Sequence, residues 1–187
     1  MSMKTFFAPG LTSRTRFAAL SLFLWVSLCL TICVGNSAGA EEPSPWSLGD
    51  TIEAFELEDQ FGNTDRVDKT TGLILFSRDM DGGEVLSAAL EGKSAEFLAD
   101  RQAVYVADIS GMPGLVARLF ALPKMRKRGY PMMLDRDGEV TARLPDQEGS
   151  GTLIELDKLQ IVGINFLSNA AELSTRLEAL KPPPAHH

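Results

Sequence analysis

Two short runs in the middle of the chain, Leu73-Ile74-Leu75-Phe76 and Ala103-Val104-Tyr105-Val106-Ala107, are apolar at every position. Successive side chains of a strand point to opposite faces of its sheet, so a strand apolar throughout must be covered on both faces. That requirement confines the chain to a layered α/β domain. Between the runs, Val85, Leu86, Ala89, Leu90, Phe97 and Leu98 form an apolar stripe that predicts one helix over Glu84–Ala99, weakened in its middle by Gly92.

The flanking segments extend the pattern. Phe55 and Leu57 alternate with Glu56 and Glu58, as in a half-buried strand; Gln60–Asn63 is a turn and Arg66–Asp68 a short return strand. After the second run come a loop, Asp108–Pro113, and a helix over Gly114–Leu122 that Pro123 ends or kinks. Met132–Leu134 predicts a third strand, Asp135–Gly138 a turn, and Glu139–Leu144 its outward continuation. Asp146–Gly151 is a polar loop, Thr152–Leu156 and Gln160–Ile164 a closing hairpin, and Ala170–Leu180 the last helix. The order predicts an α/β fold: a central mixed sheet flanked by helices, with an N-terminal hairpin and a C-terminal hairpin plus helix.

The N-terminus sets the expected compartment. Lys4, Arg14 and Arg16 precede an unbroken apolar run, Phe17–Val34, and Ala38-Gly39-Ala40 follows it before Glu41. This is the pattern of a secretory signal peptide over 1–40, with cleavage after Ala40 into the periplasm or the medium; retention as an anchor is the alternative. Cys29 and Cys33 follow Leu28 and Ile32, which excludes a lipid-acceptor site. The chain from Glu41 then has no cysteine and no N-x-S/T sequon, and is expected to be one domain, 41–187, with 181–187 as a flexible tail. It keeps 15 of the 18 basic residues and all 25 acidic ones, a net charge near −10. Nucleic acid and anionic membrane surfaces are therefore not expected partners, and no stable membrane insertion is expected after cleavage.

The only histidines are His186 and His187, so the body of the chain offers neither Cys nor His to chemistry. Thiol catalysis, Cys–His and Ser–His dyads and ordinary zinc sites are excluded. Carboxylates, hydroxyls, Lys, Arg, two tyrosines and backbone amides remain. Gly111–Gly114 lacks the lysine of a phosphate-binding loop. Met125, Met132 and Met133 read as core filler. No metal and no cofactor is expected.

Three stretches carry a resemblance. "LGDTIEAFELEDQFGNTDRVD" is similar to the opening of peroxiredoxins and periplasmic thioredoxin-like proteins; "YPMMLDRDGEV" and "GTLIELDKLQIVGI" resemble their later D-x-D-G and hairpin segments. The combination of Asp108–Gly114, Tyr130-Pro131 and Asp135–Gly138 most resembles the uncharacterised YtfJ-like periplasmic proteins. The resemblance implies a thioredoxin-like fold and a periplasmic home, and it implies no reaction. It also implies a register. Gly129-Tyr130-Pro131 could mimic the cis-proline loop of a minimal thioredoxin. The peroxiredoxin-type register instead sets Ser150-Gly151-Thr152 opposite the active-site turn, with Gly151 at the cis-proline position and Pro131 trans.

In such proteins a C-x-x-C motif sits at the junction after the first buried strand. Here the matching residues are Asp81-Gly82-Gly83-Glu84. The candidate site is thus a turn of Ser77, Arg78, Asp79, Asp81 and Glu84 facing Gly151 and Thr152. One reading makes Asp81 the helix N-cap, with Glu84 reaching back as in a capping box, a contribution of about 1 kcal/mol. Others make Asp79, Asp81 and Glu84 a cation cluster or an acid/base set, although EF-hand spacing fails at Leu90. Arg78 would neutralise the cluster.

A second candidate is the basic island Lys124, Arg126, Lys127 and Arg128, beside Tyr130, which offers a contact surface for an acidic partner; the alternative is that these cations face solvent and complement a helix C-terminus. The expected function is an exported, cysteine-less, redox-inactive module that binds a protein or small ligand. The alternatives are a divergent thioredoxin-fold enzyme, peroxidase-like or carboxylate-based, and a cation-binding protein.

Overall fold

In the computed structural model, residues 44–180 are described. The expected signal segment, both cysteines, both histidines and the expected tail lie outside them. The chain opens with an antiparallel hairpin, β1 (Phe55–Glu58) and β2 (Thr64–Val67), which forms a sheet of its own. The main sheet holds five strands: β3 (Leu73–Ser77), β4 (Ala103–Asp108), β5 (Met133–Asp135), β6 (Gly151–Asp157) and β7 (Gln160–Leu167). Their order is β5-β4-β3-β6-β7. β3 pairs parallel with β4, Leu75 opposite Tyr105, and antiparallel with β6, Leu75 opposite Leu153. The sheet is therefore mixed, and the two all-apolar runs are its central strands.

Both faces of β3 are buried along its whole length, but by different material. Leu73, Leu75, Tyr105, Ala107 and Leu153 point into one cluster, where they meet Leu86 and Leu90 of the first helix and Leu173 and Leu177 of the last. Ile74, Phe76, Val106 and Ile154 point the other way, against Ile52, Val67, Leu144 and Trp46. β3, β4 and β5 advance across the sheet in one direction, so crossovers of one hand lay both helical connections on the same face. The N-terminal hairpin and the turn before Leu144 cover the other.

Helix α1 runs Met80–Ala89, and Gly82, Leu86 and Ala89 are its buried residues, one stripe at spacings of four and three. It starts one turn before the expected Glu84. The expected single helix is also divided. The chain leaves α1 at Leu90, turns through Gly92 at φ +72°, and resumes as α2 (Ala95–Ala99), because glycine takes the left-handed conformation without the Cβ clash other residues meet.

The next helix is kinked rather than ended by Pro123. It is built from α3 (Gly114–Val116), a π-helical turn (Ala117–Ala121) and α4 (Leu122–Met125). The Leu122 N–H donates to the Ala117 carbonyl, one residue longer than an α-helical bond. The added residue accommodates Pro123, which has no N–H to donate and whose ring would crowd the preceding turn. The expected outward strand over Glu139–Leu144 is absent. Asp135 instead accepts the N–H groups of Asp137, Gly138 and Thr141, folding the segment into turns. The last helix, α5 (Ala170–Ala179), is capped by Asn169, whose side chain accepts from the Ala171 and Glu172 N–H groups.

Candidate functional site

β3 ends at Ser77, and the chain turns through Arg78 and Asp79 into α1. The cap is Asp79, not Asp81. Its Oδ1 accepts the Gly82 N–H at 2.6 Å, and its Oδ2 accepts the Gly149 N–H at 2.8 Å. Asp81 and Glu84 are exposed on the first turn. Asp79 wins the cap because one carboxylate serves two donors there, the helix and the facing loop. With both oxygens so engaged, Asp79 does not join Asp81 and Glu84 as a ligand set. Among the described residues no three Asp, Glu, His or Cys side chains come together to hold a metal.

The loop of Ser150-Gly151-Thr152 does lie against this turn. A Cβ on Gly82 would overlap the Ser150 carbonyl oxygen, and one on Gly151 would lie 2.7 Å from Leu86 Cγ. Both glycines are needed for close approach of helix to sheet. Thr152 is fully buried, and its hydroxyl has no hydrogen-bond partner among the described residues. No peptide bond is cis in that set, so Pro131 is trans.

Arg78 turns away from Asp79, Asp81 and Glu84. Its Nε donates to Asp146 at 2.8 Å and its Nη1 to Asp108 at 2.9 Å; Nη2 donates to the carbonyls of Thr141 at 2.9 Å and Leu144 at 3.1 Å. The guanidinium also lies over the Phe76 ring, 5.2 Å from its centre. The side chain of Asp108 is only 5% exposed, and its other oxygen accepts from Ser110. The Thr141 hydroxyl lies between Asp108, at 3.1 Å, and Asp135, at 2.9 Å. The expected salt bridge of Arg78 thus exists with different acids. It ties the ends of β3, β4 and β5 to the turn that covers the second face.

Above these strand ends lies a cleft of about 660 Å³. One wall is the first two turns of α1, from Met80 to Ser87; the other is the loop at Ile109–Pro113 and the kinked helix, through Val116, Phe120 and Met125. A crevice at the carboxyl ends of strands is where open α/β sheets bind ligands. Most of its surface is apolar, and the rim is unusually so: Phe120 and Met80 are each 70% exposed. The floor holds Ser77 and Tyr105, their hydroxyl oxygens 3.4 Å apart. Burial pushes the Tyr105 hydroxyl up to about 12. Gly83 faces this floor: a Cβ there would make ordinary contacts, 3.7 Å from Ser77 Oγ and 4.0 Å from Tyr105 Oη.

The basic island is divided by the kinked helix. Lys124, near the end of α4, and Arg128, three residues beyond that end, line the cleft. Arg126 points elsewhere, its Nε donating to the Gln60 carbonyl at 2.9 Å, and Lys127 is exposed away from the cleft. Tyr130 is not a surface residue. It is 3% exposed and stacks on Tyr105, ring centres 6.1 Å apart at 28°. Burial raises its pKa, and the nearby Arg128 charge opposes that rise. Buried Gln60 holds the segment in place, donating to the Tyr130 carbonyl at 2.9 Å and accepting from the Met132 N–H at 2.8 Å. Sequence reasoning missed Gln60, which reads there as a turn residue. It also missed the apolar rim, although Leu115, Val116, Leu119 and Phe120 recur as two adjacent stripes at helical spacing on a polar background.

No protein-family model matches the chain, and no curated protein matches it. Solved structures do. A candidate protein disulfide isomerase from Bacteroides thetaiotaomicron superposes with a TM-score of 0.50 at 14% identity, over 71% of this chain and 86% of that one. The peroxidoxin BcpB from Mycobacterium tuberculosis gives 0.48 at 20% identity, over 71% and 95%. An uncharacterised thioredoxin-like protein from Porphyromonas gingivalis gives 0.46 at 16% identity, over 75% and 97%. With a mixed sheet, a helix starting at the end of its central strand and a closing hairpin plus helix, the chain has the thioredoxin-like fold.

Proposed function

We propose that this chain is an exported, redox-inactive thioredoxin-like module of the YtfJ-like kind, which uses the cleft above α1 to bind a protein or small ligand in the periplasm. The observation that carries this reading is the cleft itself. It opens where the resemblance places a C-x-x-C motif, but Asp81-Gly82-Gly83-Glu84 supplies no thiol, and the space is walled by exposed apolar side chains. Its volume falls within the roughly 300–1,000 Å³ typical of small-molecule sites.

The test is a substitution that fills the floor. Gly83→Leu directs a side chain over Ser77 and Tyr105, where the Cβ itself meets only their side chains, at 3.7 and 4.0 Å. Binding of the neutral fluorophore Nile red should be lost in this variant while the melting temperature holds. Equal binding by both proteins would remove the cleft from consideration. Export is checked separately: N-terminal sequencing of the periplasmic fraction should begin at Glu41. The protein should accelerate neither insulin reduction by dithiothreitol nor peroxide consumption.

A further inference from the structure

Resting on the reading of the cleft as a ligand site, we infer that its ligand class is the uncharged apolar molecule carrying one carbonyl oxygen, with the hydroxyls of Ser77, Ser87 and Tyr105 as the seat of that oxygen. The charges that line the cleft cancel: Arg78, Lys124 and Arg128 stand against Asp79, Glu84 and Asp108. Of these, Arg78 is paired with Asp108, and Asp79 holds the Gly82 and Gly149 N–H groups. The cleft is thus neutral in a chain of net charge −7. An ion of either sign meets as many like charges as unlike ones there, and nothing offsets the loss of its hydration between mainly apolar walls. An uncharged occupant incurs no such loss.

The floor supplies the feature that selects the oxygen. Ser77 is 3% exposed and Tyr105 2%, yet both line the cleft, with their oxygens 3.4 Å apart. The Ser87 hydroxyl, on the α1 wall, lies near enough to Tyr105 to oppose the effect of burial on its pKa. Three hydroxyls in a row, with Tyr105 in the middle, carry three protons and make two bonds among themselves. One proton is left over, and no carbonyl or carboxylate accepts it among the described residues. Burial pushes Tyr105 up to about 12, so it keeps its proton and stays a donor throughout the neutral range. A carbonyl oxygen takes the spare proton as an acceptor and brings no charge with it. The apolar remainder of the ligand lies along Met80, Val116 and Phe120, the exposed walls. A peptide is disfavoured as the occupant. The strands that reach the cleft, β3 and β4, are each paired on both sides, so an extended chain finds no free strand edge for its backbone groups.

The experiment is equilibrium dialysis of the purified protein against four ligands that share a naphthalene body: 2-acetylnaphthalene, 2-ethylnaphthalene, 2-naphthoate and the 2-naphthylmethylammonium ion. The first two differ by the carbonyl oxygen, and the last two carry opposite charges. The ketone should bind about ten-fold tighter than the hydrocarbon, the worth of one net hydrogen bond. Both ions should bind more weakly than the ketone. Ser77→Ala, Ser87→Ala and Tyr105→Phe combined should bring ketone and hydrocarbon to near parity by weakening the ketone alone, whereas Gly83→Leu weakens both. The wild-type comparison needs no variant, so it decides the matter even if the triple variant fails to fold.

Equal affinity of ketone and hydrocarbon for the wild type, or an unchanged preference in a folded triple variant, overturns the hydroxyl seat and leaves the cleft standing if Nile red still distinguishes Gly83→Leu. An ion that binds tighter than the ketone overturns the neutral class. Absence of binding by all four ligands overturns the inference, and the cleft reading falls with it only if Nile red also fails to distinguish Gly83→Leu from the wild type. A capped, uncharged apolar hexapeptide that binds tighter than the ketone overturns the choice of a small molecule.

Discussion

Asp79 and Gly149 are 70 residues apart in sequence and 2.8 Å apart in space, joined by the carboxylate oxygen that Asp79 has left after capping α1. One side chain thus sets both the start of the helix and the position of the loop that faces it. The expected cap, Asp81, has only its own helix to serve.

Removing Asp79 should therefore cost more than removing Asp81. Asp79→Ala loses an N-cap bond worth about 1 kcal/mol and a second bond of similar worth, about 2 kcal/mol together. Asp81→Ala, at an exposed first-turn position, should stay within about 0.5 kcal/mol. Urea denaturation of the two variants decides the matter; equal losses would return the cap to Asp81.

Two neighbouring glycines should respond in opposite directions. Gly82→Ala drives a methyl group into the Ser150 carbonyl and should destabilise by about 1–3 kcal/mol, the cost of overpacking against backbone. Gly83→Ala meets nothing closer than 3.7 Å and should be neutral or stabilising by up to about 1 kcal/mol through helix propensity. Melting curves of the pair would refute the backbone contact if Gly82→Ala were the better tolerated.

Tyr105 and Tyr130 are the only two tyrosines in the chain, and both are buried. Burial raises both hydroxyls, Tyr105 to about 12 from 10.0. A folded-state pKa above the unfolded value means that the folded state holds its proton longer. The stability tied to the neutral tyrosines is fully present below about pH 10 and is lost as pH rises towards 12. Absorbance at 295 nm should show no tyrosinate step near pH 10 in the folded protein, and ionisation should coincide with loss of near-ultraviolet circular dichroism. A free titration near 10 would show that these hydroxyls reach solvent.

Arg78 should be structural. Arg78→Ala strands the buried carboxylate of Asp108 and frees two carbonyls, at a cost of about 2–4 kcal/mol once the partial exposure of the guanidinium is allowed for. Arg78→Lys should recover little, because an ammonium cannot reach four acceptors in one plane. Chemical denaturation with Nile red absent and present separates this role from ligand binding. The stability loss should be the same with and without the dye, and a loss confined to the dye-bound protein would make Arg78 part of the site.

Much of the fold was legible because its signals are local. The continuous apolar runs marked β3 and β4, alternation marked β1, and the paired runs after Gly151 marked β6 and β7. The errors were local signals overruled by other residues close by in the chain. A single apolar stripe over Glu84–Ala99 became two helices once Gly92 took a positive φ. Glu139–Leu144 lost its strand to a buried carboxylate, Asp135, that gathered three backbone N–H groups. Pro123 bent its helix without ending it, since a π-helical turn supplied the missing space.

The sequence by itself determined the α/β order of elements, the two fully covered central strands and the lack of Cys and His throughout the body of the chain, because periodicity and composition do not depend on what lies opposite. Only the tertiary structure decided which acid caps α1, which acids hold Arg78, that Tyr130 is buried, and that Lys124 and Arg128 share a cleft while Arg126 and Lys127 do not. Those assignments depend on groups brought together from positions 30 to 70 residues apart. For a charged or polar side chain, the partner across the gap, rather than the neighbour along the chain, decides whether it caps, pairs or stays uncommitted.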